Sequence, residues 1–339
     1  MDANLVTEVH GAGGYGQWVR PAALIALLAL AAALAGCGGD DGPAAEREAQ
    51  RVTLSLDFTP NAVHAPIYAA ARDGRDRREG VDLEIRKPGP GPDALKLITA
   101  GKVDLGVLDI HDLAIAREQG ADLVAIGALV DAPLAALIGQ PGLKRPRDLE
   151  GKTVGVSGLP SDPAFLRAIL EHDGADYDKV EQVTIGFSAV ARLLSRRVDA
   201  VPAFWNAEGV ALERRGREVS EFRVDDYGAP PYPEVVLVTS RRTLDAERDT
   251  LRRTLAAIAA GMDATLEDRE AAAREIAAAA ESDDLELTRA QLDAVAPVFA
   301  RGLKADPAVL ERWADFDAEI GIVKRRPDVE RAFDFLLAG

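Results

Sequence analysis

From Arg51 to Ser240 short β-branched or alternating runs take turns with helix-patterned segments, and this alternation constrains the fold more than any other feature of the chain. VTLSLDF, VDLEIR, VDLGVLD, LVAIGAL, TVGVSG, VEQVTIG, VDAVPAFW and EVVLVTS read as strands. DALKLITAG, DPAFLRAILEHDG and SAVARLLSRR lie between them, with apolar residues at helical spacing. Strands joined through helices build parallel sheets, so an α/β fold is expected. From Leu244 onward the pattern is helical almost throughout, with Asp306-Pro307 and Pro327-Asp328 as start signals for the last two helices.

An internal echo adds an organising plan. ALKLITAGKVDLGVLD (94–109) and VARLLSRRVDAVPAFW (190–205) each run helix, basic residue, Val-Asp, strand, which aligns Asp104 with Asp199. Those two aspartates are expected to be turn or capping residues. The echo predicts two lobes on a common βαβ plan. Gly139-Gln140-Pro141-Gly142 and Gly228-Ala229-Pro230-Pro231 are the expected crossings. One lobe would then hold 51–139 and 233–339, and the other, 143–229, would be inserted through a two-strand hinge.

Ahead of this region Arg20 precedes PAALIALLALAAALAG, an apolar run that ends at Cys37, the only cysteine. The run is too short and too poorly flanked for a membrane span and reads as the core of a secretory signal. Leu34-Ala35-Gly36-Cys37 resembles a bacterial lipobox, in which the cysteine is lipidated and heads the mature chain. Residues 1–36 are thus expected to be a leader (1–19 an over-long start) and 37–50 a lipidated tether on the extracytoplasmic membrane face. The plainer reading is an ordinary signal peptide with a chance cysteine. With Cys37 spent on lipid, no thiol remains for disulfides or thiol chemistry. Gly11, Gly13 and Gly16 match a dinucleotide fingerprint, but no strand precedes them. A net charge of −16 excludes a nucleic-acid partner, which needs a basic stripe.

Ligands of open α/β sheets bind beyond the carboxyl ends of the strands. There the sequence places Asp57, Phe58 and Asn61; Asp109 and His111; Ser157 and Gly158; and Trp205, Asn206 and Glu208. With Tyr68 and Tyr232 these residues suit a flat polar ring, since aromatic faces stack while amides and carboxylates read ring nitrogens and amines. Each has a plainer reading: Tyr68 as core on an Ala-rich helix face, His64 as a partner of a nearby carbonyl. Catalysis is poorly supported. The histidines show no metal-ligand spacing, Gly151-Lys152-Thr153 leads into a strand rather than a helix, and GVSGL around Ser157 lacks the last glycine of a nucleophile elbow.

Leu56-Asp57-Phe58-Thr59-Pro60-Asn61-x-x-His64, followed by a Tyr-bearing helix, is similar to the L-D-W-x-P-N-x-x-H opening of a family of pyrimidine-handling proteins. FWNAEG at 204–209 and DDYGAPPYPEVVL at 225–237 resemble that family's second-lobe and hinge motifs. The family includes formylaminopyrimidine-binding components of thiamine-precursor ABC importers and hydroxymethylpyrimidine phosphate synthases. The resemblance covers nearly all of 51–339 and implies a two-lobed, periplasmic-binding-protein-like fold of type II with a hinge and a ligand cleft. It implies that Asp57, Phe58, Asn61, His64 and Tyr68 line the first wall, Trp205, Asn206 and Glu208 the second, and Tyr227 or Tyr232 the hinge. This requires Trp205 to face the Asp57 loop across the gap. The implied function is a monomeric, cofactor-free, metal-free lipoprotein that captures an aminopyrimidine and delivers it to an ABC permease and ATPase. Phe58 departs from the family's Trp, keeping a stacking face without an indole donor. The synthase branch uses a cysteine-rich motif that this chain lacks. Relatives in the superfamily carry sulfonates, riboflavin or other heterocycles, which form the alternative; an extracytoplasmic hydrolase is a third. A sulfonate site needs arginine or a free helix N-terminus, and Asp162 competes for the one after Gly158.

Overall fold

The computed structural model describes residues 49–89 and 93–337, so the leader, the lipobox and Cys37 lie outside the described residues. All eight runs read as strands form strands, and two more, AALIG and SEFR, join them. The first sheet holds β1 (Gln50–Ser55), β2 (Val81–Arg86), β3 (Leu105–Asp109), β4 (Leu123–Val130) and β10 (Val235–Ser240), in the order β2-β1-β3-β10-β4. The second holds β5 (Ala135–Gly139), β6 (Thr153–Val156), β7 (Glu181–Thr184), β8 (Ala200–Phe204) and β9 (Ser220–Arg223), in the order β7-β6-β8-β5-β9.

Both sheets are mixed, not purely parallel as the alternation implies. In each, the fourth strand runs antiparallel to its neighbours: β10 against β3 and β4, β5 against β8 and β9. Each of these strands enters its sheet straight from a crossing, with no helix to reverse the direction. The first crossing also sits earlier than Gly139–Gly142. Because β5 pairs in the second sheet, the chain changes sheets at Asp131–Leu134 and returns through 228–234. AALIG is uniformly apolar and has no alternation to betray a strand.

The echo between the lobes has a physical basis. Asp104 Oδ2 accepts from Thr53 N at 2.8 Å, and Asp199 Oδ2 accepts from Thr153 N at 2.9 Å. Each aspartate stands just before one strand and braces the strand beside it, which is a structural task.

Among the described residues seven helices have eight or more residues: α1 (Ala65–Arg72), α2 (Ile110–Glu118), α3 (Asp162–His172), α4 (Arg241–Glu267), α5 (Arg269–Ala279), α6 (Leu285–Val295) and α7 (Pro307–Glu319). Local chemistry sets their starts. Ser240 caps α4 by accepting from Thr243 N at 3.0 Å; Asp306 caps α7, with Pro307 at its first position. The first core forms where β4, buried along its whole length, meets α1 and α4. At the crossing of those two helices a Cβ on Gly261 would lie 2.1 Å from Pro66 O, so only glycine allows the approach. Helix α1 is thereby held against the sheet, and the loop leading into it is aimed past the end of β1.

Candidate functional site

A cavity of about 510 Å³ opens between the carboxyl ends of β1 and β3 in one sheet and of β6, β7 and β8 in the other. Asp57, Phe58, Asn61, His64, Asp109, Ser157 and Glu208 all line it.

The first wall is a braced loop. Asn61 caps the turn Ala62–His64, its Oδ1 accepting from Val63 N at 2.9 Å. His64 Nδ1 accepts from Asn61 N at 3.2 Å, which puts the ring proton on Nε2; Nε2 then donates to Asp57 Oδ1 at 2.8 Å. His64, 1% exposed, is therefore a strut that orients Asp57.

The second wall begins after β6. Asp162 Oδ2 accepts from Ser157 Oγ at 2.9 Å, from Gly158 N at 2.8 Å and from Leu159 N at 3.2 Å. The donors that the loop between β6 and α3 would present to an anion are thus already used by a side chain of the protein. Burial nonetheless pushes the Asp162 carboxyl above its ordinary range. After β8, Trp205–Gly209 form a single π-helical turn, an irregularity often found at functional sites. It brings Glu208 to the cavity, where Glu208 Oε2 accepts from Phe204 N at 3.2 Å. Desolvation raises the Glu208 pKa.

Five expected residues lie elsewhere. Trp205 does not line the cavity: the chain leaves β8 at Phe204, which does, and Trp205 opens the π-helical turn that carries its ring away. Its Nε1 donates to Pro133 O at 3.1 Å and the Arg223 guanidinium stacks 4.3 Å above its ring, so it clasps the first crossing. Asn206 is fully buried behind the wall. Tyr232 is core, edge-on to His111 at 4.8 Å and stacked on Phe316 at 6.3 Å. Tyr227 packs on Phe222 and His172. Tyr68 leans on the first core with its hydroxyl enclosed, and burial with the nearby Glu275 charge raises its pKa to about 12.

The wall opposite Phe58 is instead Phe187, with ring centroids 4.2 Å apart and planes tilted by 51°. Phe187 follows β7, so the strand-end rule that yields Phe58 reaches it as well. A second bridge between the walls is Ser161 N, which donates to the buried Asp112 Oδ1 at 3.0 Å.

The cavity floor brings together Asp109, His111 and Glu234. Asp109 caps α2 by accepting from His111 N at 2.7 Å. Glu234, fully buried on the return crossing, accepts through Oε2 from Leu134 N and from Ala135 N at 3.0 Å, which staples one crossing to the other. His111 Nδ1 donates to Asp317 Oδ1 at 2.6 Å; the Trp313 indole nitrogen, 3.3 Å from the same atom, is the weaker neighbour. Burial pushes the Asp109, Glu234 and Asp317 carboxyls up. Burial alone would lower the His111 pKa, but Asp317, Asp109 and Glu234 outweigh it and raise it to about 10. Glu234 lies inside the hinge motif 225–237 but stands at the amino end of β10, so a rule that looks beyond the carboxyl ends of strands passes it by.

The family description "NMT1/THI5 like" matches residues 61–272, more than half of the chain. This chain belongs to the NMT1/THI5-like family. Among relatives, the protein is 31% identical over 231 residues to the formylaminopyrimidine-binding protein of Halalkalibacterium halodurans, a match covering 67% of this chain and 68% of that one. It is 26% identical over 232 residues to the 4-amino-5-hydroxymethyl-2-methylpyrimidine phosphate synthase THI12 of Saccharomyces cerevisiae, covering 64% and 68%. Among solved structures, the alkanesulfonate-binding protein SsuA of Xanthomonas axonopodis pv. citri superposes with a TM-score of 0.68 at 17% identity, over 85% of this chain and 99% of that one. The NMT1/THI5-like chain thus has the two-lobed fold of periplasmic binding proteins, with its cavity between the sheets.

Proposed function

We propose that this protein is the lipid-anchored, extracytoplasmic solute-binding component of an ABC importer. Its cargo is a thiamine-precursor aminopyrimidine of the formylaminopyrimidine type, handed to a permease and ATPase. One observation carries the reading: the cavity is lined by aromatic rings and several carboxylates, and among the described residues Lys96 is its only lysine and no arginine lines it. Phe58, Phe187 and Phe204 offer faces for a flat ring, each worth about 1–3 kcal/mol. Asp57 and Glu208 offer acceptors to an exocyclic amine and ring N–H groups, at about 1–3 kcal/mol of discrimination per well-placed edge. Two stacks and two edges reach the roughly 8 kcal/mol of micromolar binding.

A sulfonate fits less well, because Asp162 already occupies the donors after β6. Binding would proceed by parting and re-forming the contacts between walls, Phe58 with Phe187 and Asp112 with Ser161, so that the closed form is the one stabilised by ligand. Among the described residues the one hydroxyl–carboxylate contact at the cavity, Ser157 Oγ with Asp162, is a loop brace in which the same oxygen also holds two backbone N–H groups, and this favours a carrier over an enzyme.

Isothermal titration of the purified chain with an aminopyrimidine and with an alkanesulfonate tests the assignment. Micromolar binding of the pyrimidine, recovered unchanged from the complex, is expected. Preference for the sulfonate, or chemical conversion of the pyrimidine, would overturn it.

A further inference from the structure

Three carboxylates, Asp109, Glu234 and Asp317, surround one imidazole at the cavity floor, and among the described residues none of them forms an ion pair with a lysine or arginine. The one cation among them is the imidazole itself, already paired with Asp317, so an ionised Asp109 or Glu234 would have no counter-charge of its own. The α2 N-terminus answers only one oxygen of Asp109.

The arrangement is also directional. Asp109, His111 and Glu234 each offer a ligand atom, and these atoms lie within 4.8 Å of one another. Asp317 occupies His111 Nδ1 and leaves Nε2 buried without a hydrogen-bond partner. Glu234 shows the same division: Oε2 is held by two backbone N–H groups, and the buried Oε1 has no donor of its own, only the Asp109 carboxyl beside the side chain. A carboxylate that accepts from Nδ1 leaves Nε2 as the nitrogen at which a metal would replace the proton, the usual outer support of a metal-ligating imidazole. Two carboxylates and one imidazole suit a borderline divalent cation such as Zn²⁺ or Mn²⁺.

We propose that Asp109, His111 and Glu234 form a divalent-cation site at the cavity floor, with Asp317 as its positioning residue. Three protein ligands leave the cation open toward the cavity, where it would meet an electron-rich atom of the bound solute. The site stands whatever the identity of that solute.

The test uses the tag-free full chain, stripped with a chelator, reloaded separately with Zn²⁺ and Mn²⁺, desalted and assayed for metal. One equivalent retained, and a melting temperature raised by about 5 °C at 100-fold excess over Kd, are expected. Asp109→Asn should lose the metal while remaining folded by circular dichroism. Asp317→Asn, which keeps every ligand, should bind about 10- to 100-fold more weakly. Glu234→Gln also loosens the crossings, so Asp109→Asn is the deciding variant. Wild-type chain that retains no metal, or folded Asp109→Asn that binds as tightly as wild type, would overturn the site and leave the cluster as a proton-sharing brace of the hinge.

Discussion

Glu208 and Trp205 stand three residues apart and are expected to fail in opposite ways when replaced. Glu208→Gln removes a desolvated acceptor from the cavity wall, so aminopyrimidine affinity should fall about 10- to 100-fold by titration calorimetry while the fold persists. Trp205→Ala strips the clasp from the first crossing and should cost about 3 kcal/mol of stability in denaturant melts. Titration offers a third check. The folded Glu208 pKa lies above its ordinary 4.5, so this group contributes stability that is complete below that value and is lost as pH rises through the folded pKa. The melting temperature of Glu208→Gln should therefore equal that of wild type in acid and exceed it increasingly as pH climbs. A constant gap across the range would refute the assignment. At this scale the strand-end rule reads Asp57, Asp109, Ser157 and Glu208 directly from the sequence. It fails at Trp205, because β8 ends at Phe204 and a π-helical turn, which has no signature in the residue pattern, sets where the side chains beyond it point.

Among elements, the contact of α1 with α4 is the tightest constraint on the first wall. Gly261→Ala should force the helices apart and cost about 1–3 kcal/mol, measurable as a shift in the urea midpoint. If the urea midpoint does not change, the approach is looser than the geometry states. Eight strands are legible as alternating or β-branched runs. AALIG and SEFR are not, the first for want of polar alternation and the second because Phe222 is its one apolar residue, and with them the true place of the first crossing is hidden. The Asp104–Asp199 echo is legible because it reports a repeated physical task, a carboxylate bracing a neighbouring strand.

For the molecule as a whole, the anchoring proposal predicts that Cys37→Ser moves the protein from the membrane fraction to the soluble fraction; retention on membranes would refute it. A last consequence lies in the register of β10 against β4, in which Val130 and Val235 are partners. Topologically, everything from 131 to 234 is one enormous β-turn between two ordinary neighbours. Splicing Asn-Gly in its place should therefore yield a miniature that unfolds cooperatively yet captures nothing, because half of the jaw is gone.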